Sequence, residues 1–304
     1  AGVSGMFMPE MIRKGYSKNF TVAVTAISST IGIIIPPSIP MVVIAGICGI
    51  STGKLFLGGI IPGILCGLAQ MIVSYFLAKK EGVPIGPVLH GLWESWPALL
   101  MPIIIVGTIT MGIVSPTEAG VIAVVYGLFA GGIIYRELKW EDIKFAFAET
   151  VRTSGRIFIV IGAAKLYTVM LTTAGFDKWV AKTMLGFSTN PTVILIMILL
   201  IFFIVTMFME SIATLTLFMP ILYPIALGVG INPIVLSVLI TVVIGIGLVT
   251  PPVGMCIYVA CDLMDTTVGE VFPTLVPFIA ATFVCIALMV AFPQLILLPT
   301  YLMA

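Results

Sequence analysis

Two ionisable side chains stand in otherwise apolar surroundings. Lys165 interrupts the run 157–176, and Glu210 is the one acid between Phe187 and Cys261. A charged group at membrane depth points to function by default. Ser211 follows Glu210 and is a good N-cap, so a helix starting there offers backbone N–H donors to an anion. Two roles stand open for Glu210: an intramembrane carboxylate that binds, or a cap and dipole partner for the helix 211–220. Lys165 either snorkels or pairs locally, or it meets an anionic substrate. The other notable residues are two Pro-Pro steps, Pro36-Pro37 and Pro251-Pro252. Proline lacks an N–H and biases the residue before it away from the helix, so each step breaks a helix and frees the carbonyls of the preceding turn. At 32–35 and 247–250 such carbonyls suit a hard cation such as sodium, and the helix C-terminal dipole adds to the attraction. Gly32 and Gly247 are expected to let the backbone approach closely. Thr250 adds a hydroxyl that its counterpart Ile35 lacks, and Ser38 follows the first step. The predicted sodium ligands are Gly32, Ile35 and Ser38 at the first break, and Thr206, Ser211, Gly247 and Thr250 at the second. The candidate substrate-binding residues are Ser38, Lys165, Glu210 and Ser211.

Other chemistries find no support. His90 is the single histidine, so there is no zinc site, no HExxH and no Ser–His pairing, and GxxxxGK[ST] is absent. Cys48, Cys66, Cys256, Cys261 and Cys285 lie in apolar stretches without metal-ligand spacing and read as small buried hydrophobes. Glu118, in SPTEAG, reads as a helix-start cap.

The elements that must position these residues follow from composition. Of the 304 residues 60% are hydrophobic and 9% charged, with a net charge of +1, and the mean hydropathy is +1.25. Soluble domains are about 45–50% apolar and about 25% charged. A soluble enzyme, a disordered chain and a basic nucleic-acid binder are excluded, and an all-α polytopic membrane protein in a lipid bilayer remains. Charge-free runs mark the spans: Asn19–Gly53, Leu55–Ala78, Ser95–Thr117, Ala119–Tyr135, Ile157–Phe176, Thr183–Met209, Ser211–Cys261 and Val271–Ala304. The runs 19–53 and 211–261 are too long and too rich in proline for one helix. The segment 184–222 suits a re-entrant hairpin, and 136–156 an amphipathic interfacial arm. With loops 9–19, 79–94 and 136–156 on the cytoplasmic side, that side holds Arg13, Lys14, Lys18, Lys79, Lys80, Arg136, Lys139, Lys144, Arg152 and Arg156 against Lys54, Lys178 and Lys182 opposite. This agrees with the positive-inside rule and places the C-terminus outside.

A repeat links the two breaks. IGIIIPPS (31–38) matches IGLVTPPV (246–253), FMP at 7–9 matches FMP at 218–220, and GYSKNF (15–20) sits where GINPIV (230–235) sits. Gly53, Phe56 and Pro62 match Gly269, Phe272 and Pro277. The assigned sides put the copies in opposite orientations. An inverted-topology repeat with paired broken helices points to a secondary transporter, with substrate and coupling ion near the midplane. The counterparts of Glu210 and Ser211 in the first copy are expected just before Ala1, so the chain reads as the C-terminal part of a longer permease.

FMPEMIRKGY, IGIIIPPS, KLFLGGIIPG, SPTEAG and GLVTPPVG, in this order over essentially the whole chain, resemble the large membrane subunit of the tripartite ATP-independent periplasmic (TRAP) transporters. The resemblance implies a sodium-coupled importer of small organic anions in the bacterial inner membrane. Sialic acids and C4-dicarboxylates are both substrates of that family. The implied partners are a small membrane subunit and a periplasmic substrate-binding protein. It also implies an elevator motion of a transport domain with re-entrant hairpins. The expected division is 1–53 and 157–261 as transport domain, 54–135 and 262–304 as scaffold, and 136–156 as the arm. The alternative is a stand-alone sodium-coupled di- or tricarboxylate carrier of the same architecture.

Overall fold

A computed structural model describes residues 2–82 and 96–303; His90 and the rest of the 83–95 connection lie outside them. The described residues fold into helices and short turns. In chain order they are α1 (Gly2–Arg13), α2 (Lys18–Ile34), α3 (Ile39–Cys48), α4 (Thr52–Lys80), α5 (Trp96–Thr110), α6 (Pro116–Phe129), α7 (Trp140–Thr173) and α8 (Phe176–Phe187). There follow α9 (Pro191–Thr206), α10 (Ser211–Gly228), α11 (Pro233–Gly247), α12 (Met255–Asp262), α13 (Val268–Ala291) and α14 (Gln294–Leu297). Among the described residues, six helical stretches are long and apolar enough to cross a membrane: Lys18–Cys48, Thr52–Glu81, Pro116–Ile134, Trp140–Thr173, Ser211–Gly228 and Val268–Ala291. The chain is a polytopic all-α membrane protein.

Both long proline-rich runs break where the sequence places the breaks. α2 ends at Ile34 and α3 starts at Ile39; α11 ends at Gly247 and α12 starts at Met255. The repeat extends to backbone conformation. Gly15 and Gly230 both take positive φ (92° and 84°), and both Pro-Pro bonds are cis. Ser17 and Asn232 cap the helices that follow. Gly49 and Asp265 take positive φ after the second halves.

Contacts give the relative direction of the copies. At the start of the first broken helix, the Lys18 ammonium donates to the carbonyl of Asp265, just past the end of the second, at 2.7 Å. At the other end, a Cβ on Gly58, just past the first broken helix, would lie 3.1 Å from Ile234 and 3.3 Å from Val238, at the start of the second. Midway, a Cβ on Gly245 would lie 3.3 Å from both Ile33 and Thr30. Each broken helix ends where the other begins, so the two run antiparallel with their breaks side by side.

α11 is the axis of the packed body. Every residue from Val235 to Gly247 is buried, as expected of a helix apolar on all faces. It packs against α2, α3, α4, α9, α10 and α13. Leu236, Val238, Leu239, Ile240 and Ile244 are fully enclosed. α4 and α13 belong to this body as well, since both pack along α2 and along each other. Within the expected scaffold 54–135, α5 packs against both α4 and α6.

The arm expected over 136–156 is not a separate helix. It runs without interruption into the following span as α7, 34 residues long and so about 51 Å from end to end. Gly155, near the expected junction, has open space around its Cα. A lone helix-interior glycine costs about 1 kcal/mol against alanine, too little to stop a helix that has no proline.

Candidate functional site

In the region read as a re-entrant hairpin (184–222), α9 (Pro191–Thr206) and α10 (Ser211–Gly228) pack together and are joined by the turn 207–210. Its tip is fastened to the second break in two ways. The Val253 N–H donates to the Met207 carbonyl at 3.1 Å. A Cβ on Gly247 would fall 2.0 Å from the Thr206 hydroxyl and 2.7 Å from Thr206 Cβ, so only glycine lets α11 approach α9 this closely. Of the four residues predicted as second-copy sodium ligands, Thr206 and Gly247 are in direct contact. Thr250 is joined to Gly247 through its own N–H at 3.2 Å. Ser211 starts α10, four residues past Met207 at the same tip.

The carbonyls of the second break are not all free. Ile246 accepts from Val249 N–H and from the Thr250 hydroxyl, Gly247 from Thr250 N–H and Leu248 from Cys256 N–H. The Val249 and Thr250 carbonyls remain, with the lone pairs of the Thr250 hydroxyl, whose proton goes to Ile246. These oxygens match the donor set a sodium ion prefers. Thr206 and Thr250 are both buried.

At the tip, Glu210 is the N-cap of α10. One carboxylate oxygen accepts from Ile212 N–H at 2.8 Å and Ala213 N–H at 3.2 Å; the other accepts from the Ser211 hydroxyl at 2.5 Å. The Glu210 carbonyl takes Thr214 N–H. The donors that the sequence reading offered to an anion are therefore already engaged by the carboxylate beside them.

The first break is arranged differently. A Cβ on Gly32 would meet nothing within 4 Å, so the expected close backbone approach occurs at Gly247 and not at Gly32. The Ile35 side chain lies over Gly63, where a Cβ would be 2.4 Å from Ile35 Cγ1, and a Cβ on Gly59 would be 2.9 Å from the Ile34 carbonyl. Gly59 and Gly63 thus let α4 seat directly on the break. Sequence reasoning used them only as part of a motif, although their four-residue spacing in an apolar helix is itself a close-packing signal. Ser38 is buried, and its hydroxyl donates to the Ile33 carbonyl.

Lys165 is exposed on α7. The Thr168 hydroxyl reaches the Thr216 carbonyl at 3.5 Å, and further along Phe176 and Trp179 share a cavity with Phe218, Ile221 and Leu222. α7 and the α8 that follows it thus both pack along α10, with Lys165 one turn before Thr168 on α7. Glu118 is the reciprocal cap of α6 that the sequence predicts: its carboxylate accepts from Ser115 N–H at 2.6 Å, and Ser115 Oγ accepts from Glu118 N–H at 3.3 Å.

Residues 1–295 match the family described as "Tripartite ATP-independent periplasmic transporter, DctM component". The chain is 36% identical over 287 residues to the isethionate TRAP transporter permease protein DctMQ of Oleidesulfovibrio alaskensis, covering 92% of this chain and 45% of that protein. It is 33% identical to the sialic acid TRAP transporter large permease protein SiaM of Vibrio cholerae, covering 98% of this chain and 71% of that one. It is 32% identical to the C4-dicarboxylate TRAP transporter large permease protein DctM of Pseudomonas aeruginosa, with 99% and 72% covered.

Proposed function

This chain belongs to the DctM-component family of TRAP transporters, a family of permease subunits and not of enzymes, and on that premise we propose that it imports a small organic anion driven by sodium. The observation that carries this reading is the pair of antiparallel broken helices whose breaks lie side by side, the second fastened to a hairpin tip. Broken backbone at membrane depth is tolerated where it lines protein or a wet cavity, and here it gathers oxygens suited to a hard cation.

The cation sites are at the two breaks, with Gly32 and Ile35 at the first and Thr206, Ser211, Gly247 and Thr250 at the second. The anion meets the hairpin tip at Ser211 and Glu210, which bond to each other, with Lys165 on α7 as the cationic partner. Because Glu210 already caps α10, the anion either displaces its carboxylate or binds on the Lys165 side of the tip. The named substrates of the relatives (isethionate, sialic acid, C4-dicarboxylate) all carry an acidic group, which supports an organic anion as the class. The elevator motion carries 1–53 and 157–261 as the transport body against 54–135 and 262–304 as scaffold, with 136–156 as the arm; the packing of α7 along α10 supports keeping the end of α7 with the hairpin. The chain sits in a bacterial inner membrane with its C-terminus in the periplasm, and works with a small membrane subunit and a periplasmic substrate-binding protein.

The test is uptake into proteoliposomes holding the assembled transporter, with the binding protein added and a sodium gradient imposed. Uptake should require sodium and should fall in Thr250→Ala and Ser211→Ala. Sodium-independent uptake, or unchanged uptake in both variants, overturns the assignment. Uptake that survives removal of the binding protein would favour the stand-alone carrier.

A further inference from the structure

The two breaks close by different hydrogen bonds. In the second, Cys256 N–H donates directly to the Leu248 carbonyl at 2.9 Å. The aligned segments IGIIIPPS and IGLVTPPV make Met41 N–H and the Ile33 carbonyl the corresponding pair in the first. These two do not bond to each other. The Ser38 hydroxyl stands between them, donating to Ile33 at 2.5 Å and accepting from Met41 N–H at 3.4 Å. The residue in its place in the second break is Val253, which has no hydroxyl and whose N–H goes to Met207 instead. Ser38 is 1% exposed. A serine hydroxyl has one proton and two lone pairs; the proton and one lone pair are spent on this bridge.

We propose that Ser38 is a spacer: its hydroxyl holds the first break one oxygen wider than the second, so the two breaks present their carbonyls at unequal spacing and differ in cation preference. Ser38 is then a positioning residue acting through the Ile33 and Met41 backbone, in place of the ligand role expected of it from sequence. The proposal rests on the reading that the breaks carry the coupling cation. Preference among cations of one charge follows cavity size and the number and flexibility of the ligands. Closing the first break to the geometry of the second should therefore favour the smaller alkali ion.

The experiment needs no substrate. The purified, assembled transporter is melted at increasing sodium or lithium chloride, with choline chloride holding ionic strength constant, and the half-saturating concentration of each cation is read from the rise in Tm. Ser38→Val, which installs the residue of the second break, should shift the lithium-to-sodium ratio of half-saturating concentrations toward lithium by about tenfold. Ser38→Thr, which keeps the hydroxyl, should leave the ratio where it is. Ser38→Ala gives the same reading should valine lower the yield of folded protein. An unchanged ratio with both cations weakened in parallel would make Ser38 a direct ligand and overturn the spacer. An unchanged ratio with only a lower cation-free Tm would reduce it to a local cap. If neither cation stabilises the wild type while sodium still drives uptake, the spacer falls and the coupling reading stands; if uptake is also independent of sodium, both fall.

Discussion

At the scale of single residues, equivalent positions in a repeat have acquired different tasks. Gly32 and Gly247 align, yet a Cβ on Gly247 would sit 2.0 Å from Thr206 Oγ1 while one on Gly32 would touch nothing. Gly247→Ala should cost about 1–3 kcal/mol through overpacking, seen as a lower Tm and weaker sodium stabilisation. Gly32→Ala, with open space for its methyl inside α2, should leave the Tm unchanged or raise it by up to the equivalent of about 1 kcal/mol. Equal effects of the two would contradict the close contact at the second break. Glu210 illustrates a second separation of roles. As the cap of α10 it satisfies Ile212 and Ala213 N–H, and a cap-to-alanine change costs about 0.5–2 kcal/mol. Glu210→Ala should show that loss, with Glu210→Gln retaining most of the stability because an amide oxygen still accepts. A glutamine variant as unstable as alanine would mean that the charge, and not the cap, stabilises the tip.

At the scale of elements, what matters is which helices pack together. α4 reaches the first break through Gly59 and Gly63 and also packs along α13. Near their crossing Cys66 and Cys285 are both buried, with Cys285 Sγ 3.9 Å from the Leu65 carbonyl next to Cys66. An engineered bridge there tests the partition. Oxidising Cys66 and Cys285 with copper phenanthroline, in a variant lacking the other cysteines, should leave sodium-driven uptake within about twofold if α4 and α13 belong to one rigid body, since packed interiors move as units. Abolished uptake that returns on reduction would show that the two slide past each other. α7 carries the complementary lesson. Amphipathic composition over 136–156 correctly suggests a helix, but not where it ends, because one glycine without proline does not terminate a helix whose neighbours propagate it.

At the scale of the whole molecule, the antiparallel crossing is what makes the repeat an inverted one. The orientation in the bilayer expected from the lysine and arginine distribution rests on charge and not on packing. The orientation predicts an outward C-terminus, where Tyr301 is 67% exposed. A single cysteine introduced by Tyr301→Cys, in a chain lacking the native cysteines, should react with a membrane-impermeant maleimide in intact spheroplasts. Labelling only after lysis would reverse the topology.

The sequence by itself determined the class of protein, the spans and the location of both breaks. These depend on local properties: runs without charge, proline's missing N–H, and a repeat written in the chain. It also placed Thr206, Ser211, Gly247 and Thr250 in one group, since the repeat ties the hairpin to the break. Only the tertiary structure decided how each polar atom is spent. Whether the Ser38 hydroxyl is free or bridges two backbone groups, whether Gly32 is crowded, and whether Glu210 faces a ligand or its own helix all depend on hydrogen bonds and contacts a few ångströms long. Those are set by how the helices pack, and two residues of the same type at matched positions can meet entirely different neighbours. The membership of α4 and α13 in the central body has the same origin. An apolar helix looks alike in sequence whether it faces lipid or protein, and only packing tells the two apart.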